Sequence, residues 1–143
     1  MITIFQAAKY LVYLSYEKKR FSLTPLKLQK ILYLAQGWSF VWDNKPLFAD
    51  VFEAWQYGPV NTEIYKHFNK YGRGEIPKYE GSFLKKNDEA RDTLEAVWRD
   101  YACYSAFELV DLTHSQAPWK NAQYPHQVIR TEDIKFYFQS TYH

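Results

Sequence analysis

At 143 residues, 47% hydrophobic and 24% charged, the chain is long enough to bury a core unaided and too apolar for disorder. Its 18 basic and 16 acidic residues are spread along the length and leave a net charge of +2, which excludes the basic stripe of a dedicated nucleic-acid binder. The one cysteine, Cys103, excludes an internal disulfide and fits a reducing compartment.

Thr3 and Gln6 form a capping-box pattern that opens a first helix, expected to run from Thr3 to about Lys19. Ile4, Ala8, Leu11, Val12 and Ser15 line one face, and Lys18, Lys19 and Arg20 fall in the last turn, where cations suit the helix dipole. Phe21-Ser22-Leu23 then leads into a central helix over residues 24–42, with Thr24 at the N-cap and Pro25 at the first position. Leu28, Ile31, Ala35, Trp38 and Trp42 stack on one face, and Leu32, Leu34 and Val41 widen it. The other side carries Gln29, Tyr33, Gln36, Gly37 and Phe40. A helix so poor in charge after Lys30 is expected to pack on more than one side.

Asp43-Asn44-Lys45-Pro46 is turn chemistry that stops this helix. From Leu47 to Tyr57 runs an apolar and aromatic patch in which helical and extended readings compete. Asn61 can cap a third helix that carries Ile64, Tyr65 and Phe68 and closes at Tyr71-Gly72. Gly72, Gly74, Pro77 and Gly81 mark residues 72–87 as irregular. Asn87 or Asp88 starts a fourth helix to about Cys103, with Ala90, Leu94, Val97, Trp98 and Tyr101 inward. Ser105 with Glu108 opens another that ends near Thr113-His114, before Ala117-Pro118-Trp119, and Thr131 caps a last short one. The expected fold is mainly α, a compact single domain over 1–143 around a central buried helix. At most a small β element is expected, near 47–57 and 76–84.

Chemistry is harder to find. His67, His114, His126 and His143 are scattered singly, without metal-ligand spacing. No GxSxG or phosphate-cradling loop is present. Asp111 and His114, three apart on a helix, read as a helix-end hydrogen bond, and Glu53 as a hydrogen-bonded or ion-paired carboxylate. Cys103 lacks an activating neighbour and is expected to be buried or half-buried. Neither an enzyme, a metal nor a cofactor is expected. No leader and no apolar run of about 18 residues is seen, so the expected location is cytoplasmic, with no membrane partner. With 13 Tyr, 10 Phe and 5 Trp, some rings should reach the surface, where Tyr and Trp anchor protein contacts. An aromatic-rich core is the competing reading, and both stay open at this point.

One pattern goes further. Leu23-Thr24-Pro25-Leu26-Lys27-Leu28-Gln29-Lys30-Ile31-Leu32-Tyr33-Leu34-Ala35-Gln36-Gly37-Trp38 is followed by Lys45-Pro46-Leu47-Phe48. Next come Phe52-Glu53-Ala54-Trp55-Gln56-Tyr57-Gly58-Pro59-Val60 and Tyr65. Together they resemble the Panacea domain, the SocA-like or GepA-like family. Leu112-Thr113-His114-Ser115 with Pro118-Trp119 and Ala122 resembles its C-terminal signature, while the tail after Gln123 carries no part of the pattern. The resemblance implies an antitoxin of a bacterial or prophage toxin–antitoxin pair, which binds a cognate toxin encoded in an adjacent gene and neutralises it. In the SocA-like branch such a domain can also present the toxin to a protease as an adaptor. A DNA-binding autoregulator is a further alternative, although the flat charge pattern argues against nucleic acid as a partner. Oligomeric state is left open. The candidate partner-binding residues are Tyr33, Gln36, Phe40, Trp55, Tyr57, Pro59 and Tyr65. Lys27, Gln29, Trp38, Glu53, Gly58, His114 and Trp119 are candidate motif or structural residues.

Overall fold

The computed structural model describes residues 1–17, 20–79, 84, 88–122 and 125–142. It is mainly helical, with seven α-helices and a small antiparallel sheet among these residues. The helices are α1 (Ile4–Ser15), α2 (Pro25–Asp43), α3 (Thr62–Phe68), α4 (Glu89–Tyr101), α5 (Ala106–His114), α6 (Ala117–Lys120) and α7 (Thr131–Thr141). The strands are β1 (Phe52–Trp55), β2 (Gly58–Val60) and β3 (Val128–Ile129).

Local chemistry starts these helices as the sequence leads one to expect. Thr3 Oγ1 accepts the Gln6 amide at 3.0 Å while Gln6 Oε1 accepts the Thr3 amide at 2.9 Å. Ser105 and Glu108 exchange the same pair at the head of α5. Asn61 Oδ1 accepts the Ile64 amide and Asp88 the Ala90 amide, which satisfies donors that a helix start leaves free. Two ends differ. The first helix stops at Ser15 because its hydroxyl folds back onto the Val12 carbonyl, at 2.6 Å, and Arg20 turns in to donate to the Ser15 carbonyl. Arg20 therefore lies beyond the helix, paired with Glu75, and Lys18 and Lys19 lie outside the described residues. Thr131 is the first helical residue of α7 rather than its cap. Ile129 is held in β3, so the chain turns into the helix at once and Arg130 takes the cap position without a side-chain bond.

Central helix α2 packs against α1, α3, α4, α5, α7 and β2, and from Lys27 to Gly37 every residue is buried. A helix with neighbours all round must pair its polar groups internally. Gln29 does so by clasping the Asn61 backbone, donating to its carbonyl at 3.0 Å and accepting its amide at 2.9 Å. Gln36, two turns on, accepts the Leu47 and Phe48 amides and donates to the Phe48 carbonyl. Lys27 donates to the Ala102 carbonyl and Ser39 to that of Lys45. Left-handed Asn44 ends α2, where Gln139 of α7 donates to both the Phe40 carbonyl and Asn44 Oδ1.

The stretch from Leu47 resolves into extended backbone, but only from Phe52. Glu53 pairs with Val60, Ala54 with Pro59 and Trp55 with Gly58, making a hairpin whose two-residue turn is Gln56-Tyr57. Phe52 and Glu53 pair on the other side with Ile129 and Val128, giving the strand order β2-β1-β3. That third strand comes from the tail in which no pattern was seen. The β element expected at 76–84 does not form over residues 76–79, where the Ile76 amide donates to the Leu23 carbonyl, and the rest lies outside the described residues except Leu84. Lys85, Lys86 and Asn87 also fall outside them. Cys103 is exposed, just past the C-cap Ala102, contrary to the expected burial. No helix among the described residues is long and apolar enough to cross a membrane.

Gly37 marks where α7 crosses α2. A Cβ built there would meet three ring atoms of fully buried Phe138 at 2.5 Å. Gly37→Ala is therefore expected to lower the unfolding free energy by about 1–3 kcal/mol through overpacking, despite alanine's better helix propensity. A urea melt that leaves the midpoint unchanged would show that α7 does not seat on this residue.

A candidate protein-binding face

The hairpin, α3 and the start of α2 enclose a groove of about 490 Å³, with Trp55, Tyr57, Tyr65, Phe68 and His126 among its walls. Tyr65 sits on the outer face of α3, at 44% exposure, because Ile64 and Phe68 take the inner face. Tyr57 stands at the hairpin turn, 48% exposed, with its edge to the ring of Phe107 at 5.8 Å. Phe107 itself, in the first turn of α5, is 60% exposed. Trp55 is half-buried between partners: Tyr65 at 4.9 Å, His126 at 4.6 Å, and Glu53 Oε1, which accepts its indole N–H at 2.9 Å. Glu53 also lies 3.8 Å from His126 Nδ1. None of the groove's lining residues is an Asp, Glu, Lys or Arg.

What holds the hairpin in place lies behind it. Lys30 of α2 is fully buried and donates from Nζ to the Pro59 carbonyl at 2.7 Å. Gly58 has φ +104°, and a Cβ there would lie 2.8 Å from both Lys30 Cε and Thr113 Oγ1. Both the dihedral and the crowding require glycine. Trp119 of α6 donates its indole N–H to the Trp55 carbonyl at 2.8 Å, and His114 stacks on the Trp119 ring at 4.0 Å. The two separated motifs thus meet: Thr113, His114 and Trp119 brace the strand that presents Trp55 and Tyr57. His114 makes this stack in place of the expected bond to Asp111.

The candidate partner-binding residues divide cleanly. Trp55, Tyr57 and Tyr65 reach the groove. Tyr33, Gln36, Phe40 and Pro59 are buried, which corrects their reading as surface anchors. Tyr33 donates to Gln116 Oε1 at 2.8 Å, and burial pushes its phenol well above the usual range. Of the motif residues, Trp38 is half-buried and donates to the Tyr101 hydroxyl, while Lys27 and Gln29 serve the backbone contacts given above. The residue patterns alone missed Phe107 and His126, and with them the burial of Lys30. A signal for Lys30 existed: α2 holds no carboxylate before Asp43, so no intrahelical ion pair was open to it. No group of three or more His, Cys, Asp or Glu that could hold a metal is found among the described residues.

Burial pulls the Lys30 pKa from 10.5 to about 7. Between these values the unfolded chain binds the proton and the folded chain does not, so stability rises with pH through this window. Below about 7 the penalty is full and flat. Lys27, lowered by burial, adds the same sign, whereas Tyr10, raised by burial to about 12, and Tyr33 reverse it above the ordinary tyrosine range. Denaturant melts between pH 7 and 9.5 are expected to show the rise, and Lys30→Met to flatten most of it. An unchanged slope in the variant would show that Lys30 keeps an ordinary pKa.

Residues 28–120 match the family model described as Antitoxin SocA-like, Panacea domain. Antitoxin SocA of Caulobacter vibrioides (strain NA1000 / CB15N) is 32% identical over 113 residues, which cover 68% of this chain and 58% of that protein. The chain thus spans less than two thirds of that relative's length. No solved structure matches. The matched stretch holds α2 from Leu28 onward, the hairpin, α3 and the α5–α6 brace. The chain belongs to the SocA-like antitoxin family of Panacea domains.

Proposed function

We propose that this chain is an antitoxin that neutralises a cognate toxin, encoded in an adjacent gene, by binding it directly. It acts as a binding protein rather than as an enzyme. The observation that carries the reading is the aromatic face itself: Tyr57, Tyr65 and Phe107 stand open around a groove lined by no Asp, Glu, Lys or Arg. Large rings of this kind, on rigid elements, are the usual anchors of protein interfaces. The hairpin is bound from behind by Lys30 and Trp119, so little ordering remains to oppose association. A stable complex buries roughly 1,200–2,000 Å² in total, so the toxin would extend past the groove onto α3 and the start of α5.

The test is co-expression with the adjacent reading frame, scored for growth and co-purification. The neighbour alone is expected to arrest growth, and this chain to rescue it within a stable complex. Tyr57→Ala and Phe107→Ala are each expected to keep the fold and weaken the complex by about 1–2 kcal/mol. Glu53→Gln, which can still accept the Trp55 indole, is expected to rescue fully; loss of rescue with toxin still bound would point to catalysis instead. A harmless neighbour that does not co-purify would overturn the antitoxin reading. A steeply salt-dependent shift of the chain's own promoter would then favour DNA binding.

A further inference from the structure

Resting on that reading, we propose that the groove between the hairpin and α3 seats an uncharged apolar anchor of the partner protein, an aromatic or aliphatic side chain on a segment without charge at the contact. The groove's own charge pattern carries the inference. Its walls contain no carboxylate, ammonium or guanidinium group.

A cationic anchor finds no counterion there. Glu53, beside the cluster, already accepts the Trp55 indole and lies against His126. Nor is Trp55 an open platform for a cation, since Tyr65 and His126 are already in contact with its ring. An anionic anchor fares no better, since the groove's imidazole, His126, already lies 3.8 Å from Glu53 Oε1. Lys30 is buried behind the hairpin and committed to the Pro59 carbonyl. The start of α2 reaches the groove through Pro25, Leu26 and Gln29; Pro25 has no N–H, the Lys27 and Leu28 amides are taken by Thr24, and the Gln29 carboxamide is committed to the Asn61 backbone. A charged group brought into this apolar site would lose its water without gaining a partner, and that cost is prohibitive for a specific contact.

A neutral anchor meets none of these penalties. It would gain the exposed edges of Tyr57 and Tyr65 and half-buried Trp55 as contact surface, over a floor made by buried Val60, Ile64 and Phe68. The volume falls in the range of roughly 300–1,000 Å³ typical of sites that enclose a compact group. Gln56 and Asn69, exposed at the rim and without side-chain hydrogen bonds among the described residues, are placed to meet the backbone of the segment that carries the anchor.

The experiment is calorimetric titration of the full chain with the purified neighbouring toxin, in salt from 50 to 500 mM, with folding followed by circular dichroism. The expected dissociation constant changes by less than about threefold over this range, unlike a charge-led contact. Tyr65→Phe is expected to bind within roughly twofold of the parent, and Tyr65→Ala to lose about tenfold or more. Gln56→Glu, a conservative change in shape at an exposed site, is expected to lose about threefold or more by bringing charge to the rim. A steep loss of affinity with salt would overturn the proposal. So would unchanged binding by both Tyr65→Ala and Gln56→Glu, although the toxin-binding reading would stand on another surface. A Tyr65-dependent dimer of the free chain would assign the groove to a second copy and overturn it too. If the parent chain does not bind the toxin at all, the antitoxin reading itself falls and the groove proposal falls with it.

Discussion

A lysine ammonium sealed inside α2 sets the terms for much of the molecule. Lys30 is fully buried, and its hydrogen bond to the Pro59 carbonyl is its only partner among the described residues. Removing an ammonium from water costs several kcal/mol unless it loses its proton or is well paired, and here burial brings its pKa down to about 7. The contact fixes the hairpin at one depth above the helix. That depth leaves no room for a side chain at Gly58, wedged between Lys30 and Thr113, and it sets the chain direction at Pro59. Trp55 and Tyr57, four and two residues earlier, are oriented as a consequence.

Two glutamines extend the same principle along the helix. Gln29 and Gln36 lie seven residues apart, and their carboxamides act as portable peptide groups for backbone that has no strand partner. One holds the chain entering α3, and the other holds it leaving the turn after α2. A loop of irregular backbone can pass close to a buried helix only if its amides and carbonyls are satisfied in this way. The motif of α2 is therefore best read as a set of clamps. Its buried polar groups hold the excursion that carries the aromatic face, and the α5–α6 region closes the arrangement from the far side.

This also explains which parts were legible from residues alone. Caps at Thr3, Thr24, Asn61, Asp88 and Ser105 act within four residues of themselves, so spacing was enough to find them. The central helix was recognisable from its cap at Thr24, from Pro25 and from a wide apolar face with no carboxylate before Asp43. The burial of Tyr33, Gln36 and Phe40 was not legible, since their partners lie 83, 12 and 99 residues away, the last through the Phe40 carbonyl. Strand β3 is two residues long and exists only because β1 offers an edge, which no local pattern records. The early end of α1 likewise depends on Arg20 folding back. Resemblance to a family found the motif, but only the three-dimensional contacts separate its clamps from its exposed rings.

For function, the division matters. Clamp residues would be shared by any chain that builds this scaffold, whereas Tyr57, Tyr65 and Phe107 contribute little to the core and stand where a partner can reach them. The most direct measurement is hydrogen exchange of the chain, free and in complex with the neighbouring toxin. Protection on binding is expected over residues 55–72 and around Phe107 and His126, with α7 unchanged. Protection confined to α7 or to the exposed side of α4, with the hairpin exchanging as in the free chain, would contradict the assignment of this face to the toxin.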